Sequence, residues 1–360
     1  MIYESGLILV RVLIRKVNQI ILKWSLQQMK IEKILKSTLL ITSLFAAAFA
    51  QADEYRIGLV VKAQGIGFFE AAYAGATEAS KEIKDDVKII YTGPVTPTAE
   101  GQIEIVNSLI SQRVDAIVIS ANDTDALVPI LKKAQKRGIK VVSFDSGVAA
   151  PGRAIHLNPS SNELIGQINV DLASDALVAA KSDKGDIAIL SATPTATNQN
   201  IWIAEMKKVL PQHPELNLVA TVYGDDLADK SYRETQGLIK TYPNLKAIVA
   251  PTSVGIVAAA QAVTDMGKTG EIFVTGLGLP SELAGHVKSG AVHSFAIWNP
   301  IDLGYAATTI AYNLIKGNAT DTEVEMGRMG TAKLDKDGNA AMAKPFIYNS
   351  TNVEEFAKIF

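Results

Sequence analysis

Residues 116–146 read AIVISANDTDALVPILKKAQKRGIKVVSFDS. The apolar run 116–120 is too short for a helix and rich in β-branched residues. A longer amphipathic stretch, 125–137, follows it and ends at Gly138, and a second apolar run, 140–144, comes next. Short strands this apolar are buried on both faces, which implies parallel pairing under a covering helix. The alternation extends in both directions. Strands are predicted at 56–61, 87–92, 186–191, 217–223, 247–250, 271–275 and 293–297. Helices are predicted at 68–83, 100–112, 162–180, 199–210, 230–241, 254–266, 282–289 and 303–316. In the second of these Ile103, Val106, Leu109 and Ile110 form one stripe. About ten βα units exceed one comfortable doubly wound sheet, so two lobes of about five strands each are expected. The first break falls at 157–160, where Asn158-Pro159-Ser160 interrupts the pattern. From Gly317 the alternation is lost, and the tail is expected to wrap over the lobes.

Composition narrows the function. The 360 residues are 48% hydrophobic and 20% charged, with no cysteine. That excludes disulfide scaffolding, thiolate metal sites and cysteine nucleophiles. The four histidines, His156, His213, His286 and His293, form no close helical pair, so neither a His-based zinc site nor another metal centre is expected. Residues 29–52, MKIEKILKSTLLITSLFAAAFAQA, have the basic start, apolar centre and small-residue end of a secretory signal peptide. Cleavage is expected after Ala52, with Ala48-Phe49-Ala50 as the competing site. Met29 begins a complete signal by itself, so residues 1–28 read as an upstream extension, with translation expected to start at Met29. Residues 1–52 carry seven Lys/Arg and two Asp/Glu, which leaves 28 basic against 35 acidic residues from Asp53 onward, a net charge of −7. Such a surface is unsuited to nucleic acid.

In open α/β sheets ligands bind beyond the carboxyl ends of the strands. The loop after the first strand holds Lys62, a glycine turn, and Phe68 and Phe69 at the start of a helix. Paired rings there can stack on a sugar or belong to the core, and Lys62 can donate or be solvated. Asp145 stands alone at the tip of its strand, where a carboxylate accepts two adjacent hydroxyls or serves as a loop residue. Further on, Asn198 and Gln199 offer neutral amides, one of which can instead cap the helix, followed by the Trp202 indole. The loops at Pro251-Thr252-Ser253 and at 276–280 complete the ring. Trp298 ends the last strand before Pro300, at a strand tip or in the core. The pairs Asp225-Asp226 and Asp85-Asp86 sit in turns and read as solvated. The chain has neither a phosphate-binding G-x-x-x-x-G-K-[ST] nor a G-x-S-x-G nucleophile element, and no enzyme or cofactor reading emerges.

The segments YTGP at 91–94, TAEGQIE at 98–104, NPSSNELIG at 158–166, TNQNIWI at 197–203, TGLGLPSE at 275–282 and AIWNPIDLGY at 296–305 carry a resemblance. From Asp53 to Phe360 the chain resembles the type I, ribose-class periplasmic sugar-binding proteins of ABC importers. Within that class it is most similar to rhamnose-binding proteins, with autoinducer-2-binding proteins as neighbours. The resemblance implies an α/β fold of two doubly wound parallel-sheet lobes joined by three hinge crossovers. On that reading 53–157 with 299–318 form the N-terminal lobe and 158–298 with 319–360 the C-terminal lobe. The crossovers are expected near 157–158, near 298–299 and after Lys316. Carrying over the autoinducer-2 contacts by position selects Lys62, Asp145, Asn198, Gln199, Pro251 and Ser253. Two of these depart from that subgroup: Asn198 replaces an Asp and Ser253 an Ala, which removes an acceptor the autoinducer would need. Gly278 stands where the wider ribose class carries an Asp. The methyl of a 6-deoxy sugar is expected against Phe68, Phe69, Trp202 or Trp298. The implied function is a monomeric periplasmic receptor that delivers L-rhamnose to an inner-membrane permease and its ATPase. An autoinducer-2 receptor and a sensor for a membrane histidine kinase are the alternatives.

Overall fold

The structure is a computed structural model that describes residues 54–83 and 86–360, together with 15–17, 23–24 and 27–28. The expected signal segment 29–52, its cleavage sites and nearly all of the extension 1–28 lie outside the described residues. Residues 1–53 and 54–360 are separate units, and the site lies in the second. Among the described residues no helix is long and apolar enough to cross a membrane.

The chain opens with β1 (Tyr55–Val60), α1 (Gly67–Glu82), β2 (Val87–Thr92), α2 (Ala99–Gln112), β3 (Ala116–Ile119), α3 (Val128–Lys136), β4 (Lys140–Phe144) and β5 (Ile155–Asn158). These five strands are parallel in the order β5-β4-β3-β1-β2. Strand order therefore reverses at β1, which pairs with β2 on one side and β3 on the other. Helix α3 begins three residues later than expected. The Asp123 side chain accepts the N–H groups of Asp125 and Ala126 and holds them in a turn, and Pro129 fits the first helical turn.

After α4 (Asn162–Ala179) the pattern repeats with β6 (Gly185–Ser191), α5 (Thr197–Val209), β7 (Leu216–Tyr223), α6 (Ala228–Thr241), β8 (Leu245–Ala250), α7 (Ser253–Asp265), β9 (Phe273–Gly276), α8 (Pro280–Ser289) and β10 (Ser294–Ile297). The second sheet runs β7-β6-β8-β9, and single bridges from β9 bring β10 alongside in parallel. Order reverses again at β6. Each lobe thus presents a switch point, the place where strand tips diverge and leave a crevice.

Helix α9 (Pro300–Lys316) returns to the first lobe and crosses α1 with the two backbones touching. A Cβ on Gly75 would lie 1.8 Å from the Ile301 carbonyl oxygen, and one on Gly304 would lie 1.9 Å from that of Ala72. Only glycine fits at this crossing. The remaining elements are β11 (Glu323–Glu325), β12 (Thr331–Lys333), β13 (Asn339–Ala341), β14 (Phe346–Asn349) and α10 (Val353–Phe356).

Here the structure corrects the expected boundary. Residues 319–360 are expected in the second lobe, yet β13 adds in parallel to the edge of β5 in the first sheet. The chain crosses over between Ala341 and Phe346, not at 318–319. Strand β14 then pairs antiparallel with β10 in a separate two-stranded sheet beside the wholly parallel second sheet. A three-residue edge strand needs only backbone partners, and its composition carries no apolar signature.

Candidate functional site

The tips of β1 and β3 are tied together before any ligand group is placed. Gln102, fully buried on α2, donates to the carbonyls of Val61 (3.0 Å) and Ser120 (2.7 Å) and accepts the Asn122 N–H (2.9 Å). The Asn122 amide in turn donates to the Lys62 carbonyl at 2.9 Å. This brace fixes the backbone that carries Lys62 and Ser120. Asp145 follows β4 with φ of +56°, a left-handed conformation that Asp tolerates better than most residues. The turn points its carboxylate at the Ser120 hydroxyl, which donates to Oδ2 at 2.8 Å.

The second lobe answers from the first turn of α5. Asn198 Nδ2 donates to Asp145 Oδ1 (3.0 Å), while Asn198 Oδ1 accepts from Lys62 Nζ (3.0 Å) and from the Gln199 N–H (2.9 Å). An amide is the side chain that can do both at once; a carboxylate at 198 could not donate to Asp145. Lys62, Asp145 and Asn198 are all buried. Burial pushes the Asp145 carboxyl above the ordinary carboxylate range. Lys62, Ser120 and Asn198 oppose that rise, and the charge of Asp226 adds to it. Gln199 Oε1 is held by the Ser191 hydroxyl and the Ala192 N–H, which turns its NH2 end toward the crevice.

Aromatic rings form the other wall. Phe68 meets Phe69 edge to face at 5.2 Å and Trp298 at 6.2 Å, and Trp298 meets Trp202 at 5.6 Å. The Trp202 N–H is bound by Asn162 Oδ1. The Trp298 N–H is buried and has no hydrogen-bond partner among the described residues, a costly state unless a ligand supplies one. The alternatives of core and cleft are not exclusive here, because both Phe residues are buried, belong to the main apolar cluster and line the cavity.

All ten candidate residues (Lys62, Phe68, Phe69, Asp145, Asn198, Gln199, Trp202, Pro251, Ser253 and Trp298) line one cavity, of about 410 Å³ including its open mouth. Ile66, Asp226, Thr252, Leu277 and Ile297 line it as well. Asp226 corrects the reading of Asp225-Asp226 as solvated. It lies just past the tip of β7, so the strand-end rule that selected Asp145 could have found it. Gly278 has no space for a side chain, since a Cβ would lie 2.6 Å from Leu283 Cδ1 and 2.8 Å from Ile256 Cγ2. Among the described residues no group of three His, Asp or Glu could hold a metal ion.

Two reversing sheets with convergent strand tips over a shared cavity define the architecture, and residues 57–319 match the family model described as a periplasmic binding protein domain. The chain belongs to the periplasmic binding protein family. Its fold and relatives are those of the type I sugar-binding proteins of ABC importers, which bind substrates rather than transform them. An ABC transporter solute-binding protein from Clostridium phytofermentas, solved with L-rhamnose bound, is 35% identical. That match has a TM-score of 0.79 and covers 86% of this chain and all of that one. The D-ribose/D-allose-binding protein of Pseudomonas aeruginosa is 27% identical over 67% of this chain and 76% of its own. LsrB from Clostridium saccharobutylicum, solved in complex with AI-2, shares the fold with a TM-score of 0.79 at 22% identity, covering 84% of this chain and 99% of that one.

Proposed function

We propose that this periplasmic binding protein works as a monomer in the periplasm, closing its two lobes on one molecule of L-rhamnose and delivering it to the permease of an ABC importer. The observation that carries the reading is the division of the cavity. One side is a network of Lys62, Asp145, Asn198 and Gln199 that can accept and donate to hydroxyls. The other is an apolar wall of Phe68, Phe69, Trp202, Leu277, Ile297 and Trp298. A 6-deoxyhexose has that division itself, with hydroxyls on most of its edge and a methyl where a hexose carries a polar CH2OH. The 35% identity to a protein that holds L-rhamnose supports the same choice. Autoinducer-2 is the weaker candidate, because Asn198 is hydrogen-bonded in both directions where that ligand's receptors carry an acid.

Isothermal titration of the protein from Asp53 onward against L-rhamnose, D-ribose and autoinducer-2 tests this. The expected result is one site per chain for L-rhamnose at micromolar Kd or tighter, about −8 kcal/mol or better. Tight autoinducer-2 binding with no heat from L-rhamnose would overturn it.

A further inference from the structure

Asp226 is the one carboxylate of the cavity wall contributed by the second lobe, and its surroundings show how it is held there. Strand β7 ends at Tyr223, and Gly224 follows against Ser231, whose Oγ would lie 2.0 Å from an added Cβ. Asp225 and Asp226 then adopt φ of +56° and +52°, two successive non-glycine residues in the left-handed region. Such strain persists where the surrounding structure fixes it, and it is concentrated at functional sites. The double turn sends the two acids apart. Asp225 pairs with Lys230 at 2.6 Å, whereas Asp226, half-buried, lines both the cavity and the open groove beside it that Gly65, Leu227 and Tyr232 also line. Its Oδ1 accepts from the Thr252 hydroxyl, the group that also caps α7 by accepting the Gly255 N–H. Its Oδ2 has no hydrogen-bond partner among the described residues. Lys62, the cation of the described cavity wall, is committed to Asn198.

We infer that Asp226 is a ligand-binding and specificity-determining residue. Its free carboxylate oxygen accepts a hydroxyl of the ligand from the second lobe while Asp145 works from the first, and the two acids together admit neutral polyhydroxylated rings and reject uronates and sugar phosphates. The inference rests on the sugar-binding reading above. Two carboxylates against one engaged ammonium leave the cavity with a net negative character, which an anionic ligand would meet without a free cation.

Asp226→Asn is the discriminating variant. Asn keeps an oxygen for Thr252 and tolerates the left-handed backbone as well as Asp does, so the turn and the α7 cap are preserved. What is lost is the charge and the free acceptor. Wild type is titrated with L-rhamnose, D-ribose, L-fucose, autoinducer-2 and D-galacturonate. Asp226→Asn is titrated with whichever neutral sugar wild type binds most tightly, and both proteins are melted without ligand. The expected result is a melting temperature within about 2 °C of wild type, affinity for the neutral sugar down at least about tenfold, and no heat from galacturonate with wild type. Affinity within about threefold of wild type would overturn the assignment. So would an affinity loss accompanied by a large drop in melting temperature, which would make Asp226 structural, or galacturonate binding by wild type as tight as the neutral sugar. A wild type that binds none of the neutral sugars would sink the proposed function, and this inference with it. Neutral-sugar binding unaffected by Asp226→Asn would sink the inference alone.

Discussion

Replacing Asp145 by alanine separates what holds the sugar from what holds the lobes. The substitution deletes both carboxylate oxygens, so the Ser120 hydroxyl and the Asn198 amide lose their acceptor. It also strips Lys62, 3% exposed, of the acid to which Asn198 links it. Breaking a buried charge pair from one side costs roughly 3–5 kcal/mol. The lower end applies here, because an amide stands between the two charges and Asp226 also faces the cavity. That penalty falls on the closed, dry cleft, since an open cleft lets water reach the ammonium. At about 1.4 kcal/mol per factor of ten, affinity falls by at least about two powers of ten. The fold itself loses little. Alanine at φ of +56° costs about 1–2 kcal/mol, a few degrees in melting temperature for a chain of this size. Titration calorimetry and a thermal melt on the same preparation read the two quantities separately. Affinity retained within tenfold would refute the reasoning, and so would a binding loss that merely tracks unfolding.

Trp298→Phe keeps the ring in the wall and removes the partnerless N–H. Sugar affinity is expected to fall about tenfold in calorimetry while the ligand-free melting temperature falls by a few degrees at most, the cavity left by the smaller ring being partly offset by loss of the partnerless N–H; unchanged affinity would mean the N–H meets no ligand. Gly304→Ala forces a Cβ against the Ala72 carbonyl and should cost about 2–3 kcal/mol in denaturant unfolding, whereas a neutral result would mean α1 and α9 can separate at no cost. Burial, helped by the charge of Arg153, lowers the His156 pKa from its usual 6.5 to about 4. The unfolded chain therefore binds the proton first as pH falls, and stability is lost between pH 6.5 and 4. That loss amounts to about 2 kcal/mol by pH 5. His156→Gln should lose that part of the acid sensitivity in melts at pH 7 and pH 5, and equal sensitivity in both proteins would contradict it.

The two-lobe α/β plan was legible because strands such as β3 and β4 are apolar throughout, a pattern that only a covered parallel sheet explains. That Asp145, Asn198 and Gln199 lie at one cavity was legible for a related reason, since the strand-end rule converts chain position into spatial position. Asp226 obeys the same rule, but its neighbour Asp225 made the pair look like an ordinary polar turn. Nothing local distinguishes two adjacent acids of which one pairs with Lys230 and the other with Thr252. Gln102 escaped for another reason: its role is to brace backbone carbonyls of β1 and β3, and such partners leave no trace in side-chain patterning. The placement of β13 failed for want of any apolar signal, because Asn339–Ala341 is recruited by the open edge of β5.

The return of α9 and β13 to the first sheet means that neither lobe is a continuous piece of chain. Leu303, Ala306, Ala307 and Ile310 complete the same apolar cluster as Ile57 and Leu59, some two hundred and fifty positions earlier. Beside the second sheet, β10 likewise waits for β14 to cover it. A ribosome or a translocation pore that releases this polypeptide from its amino end therefore cannot release a finished half. The early segments lack this packing until residues 300–341 have emerged.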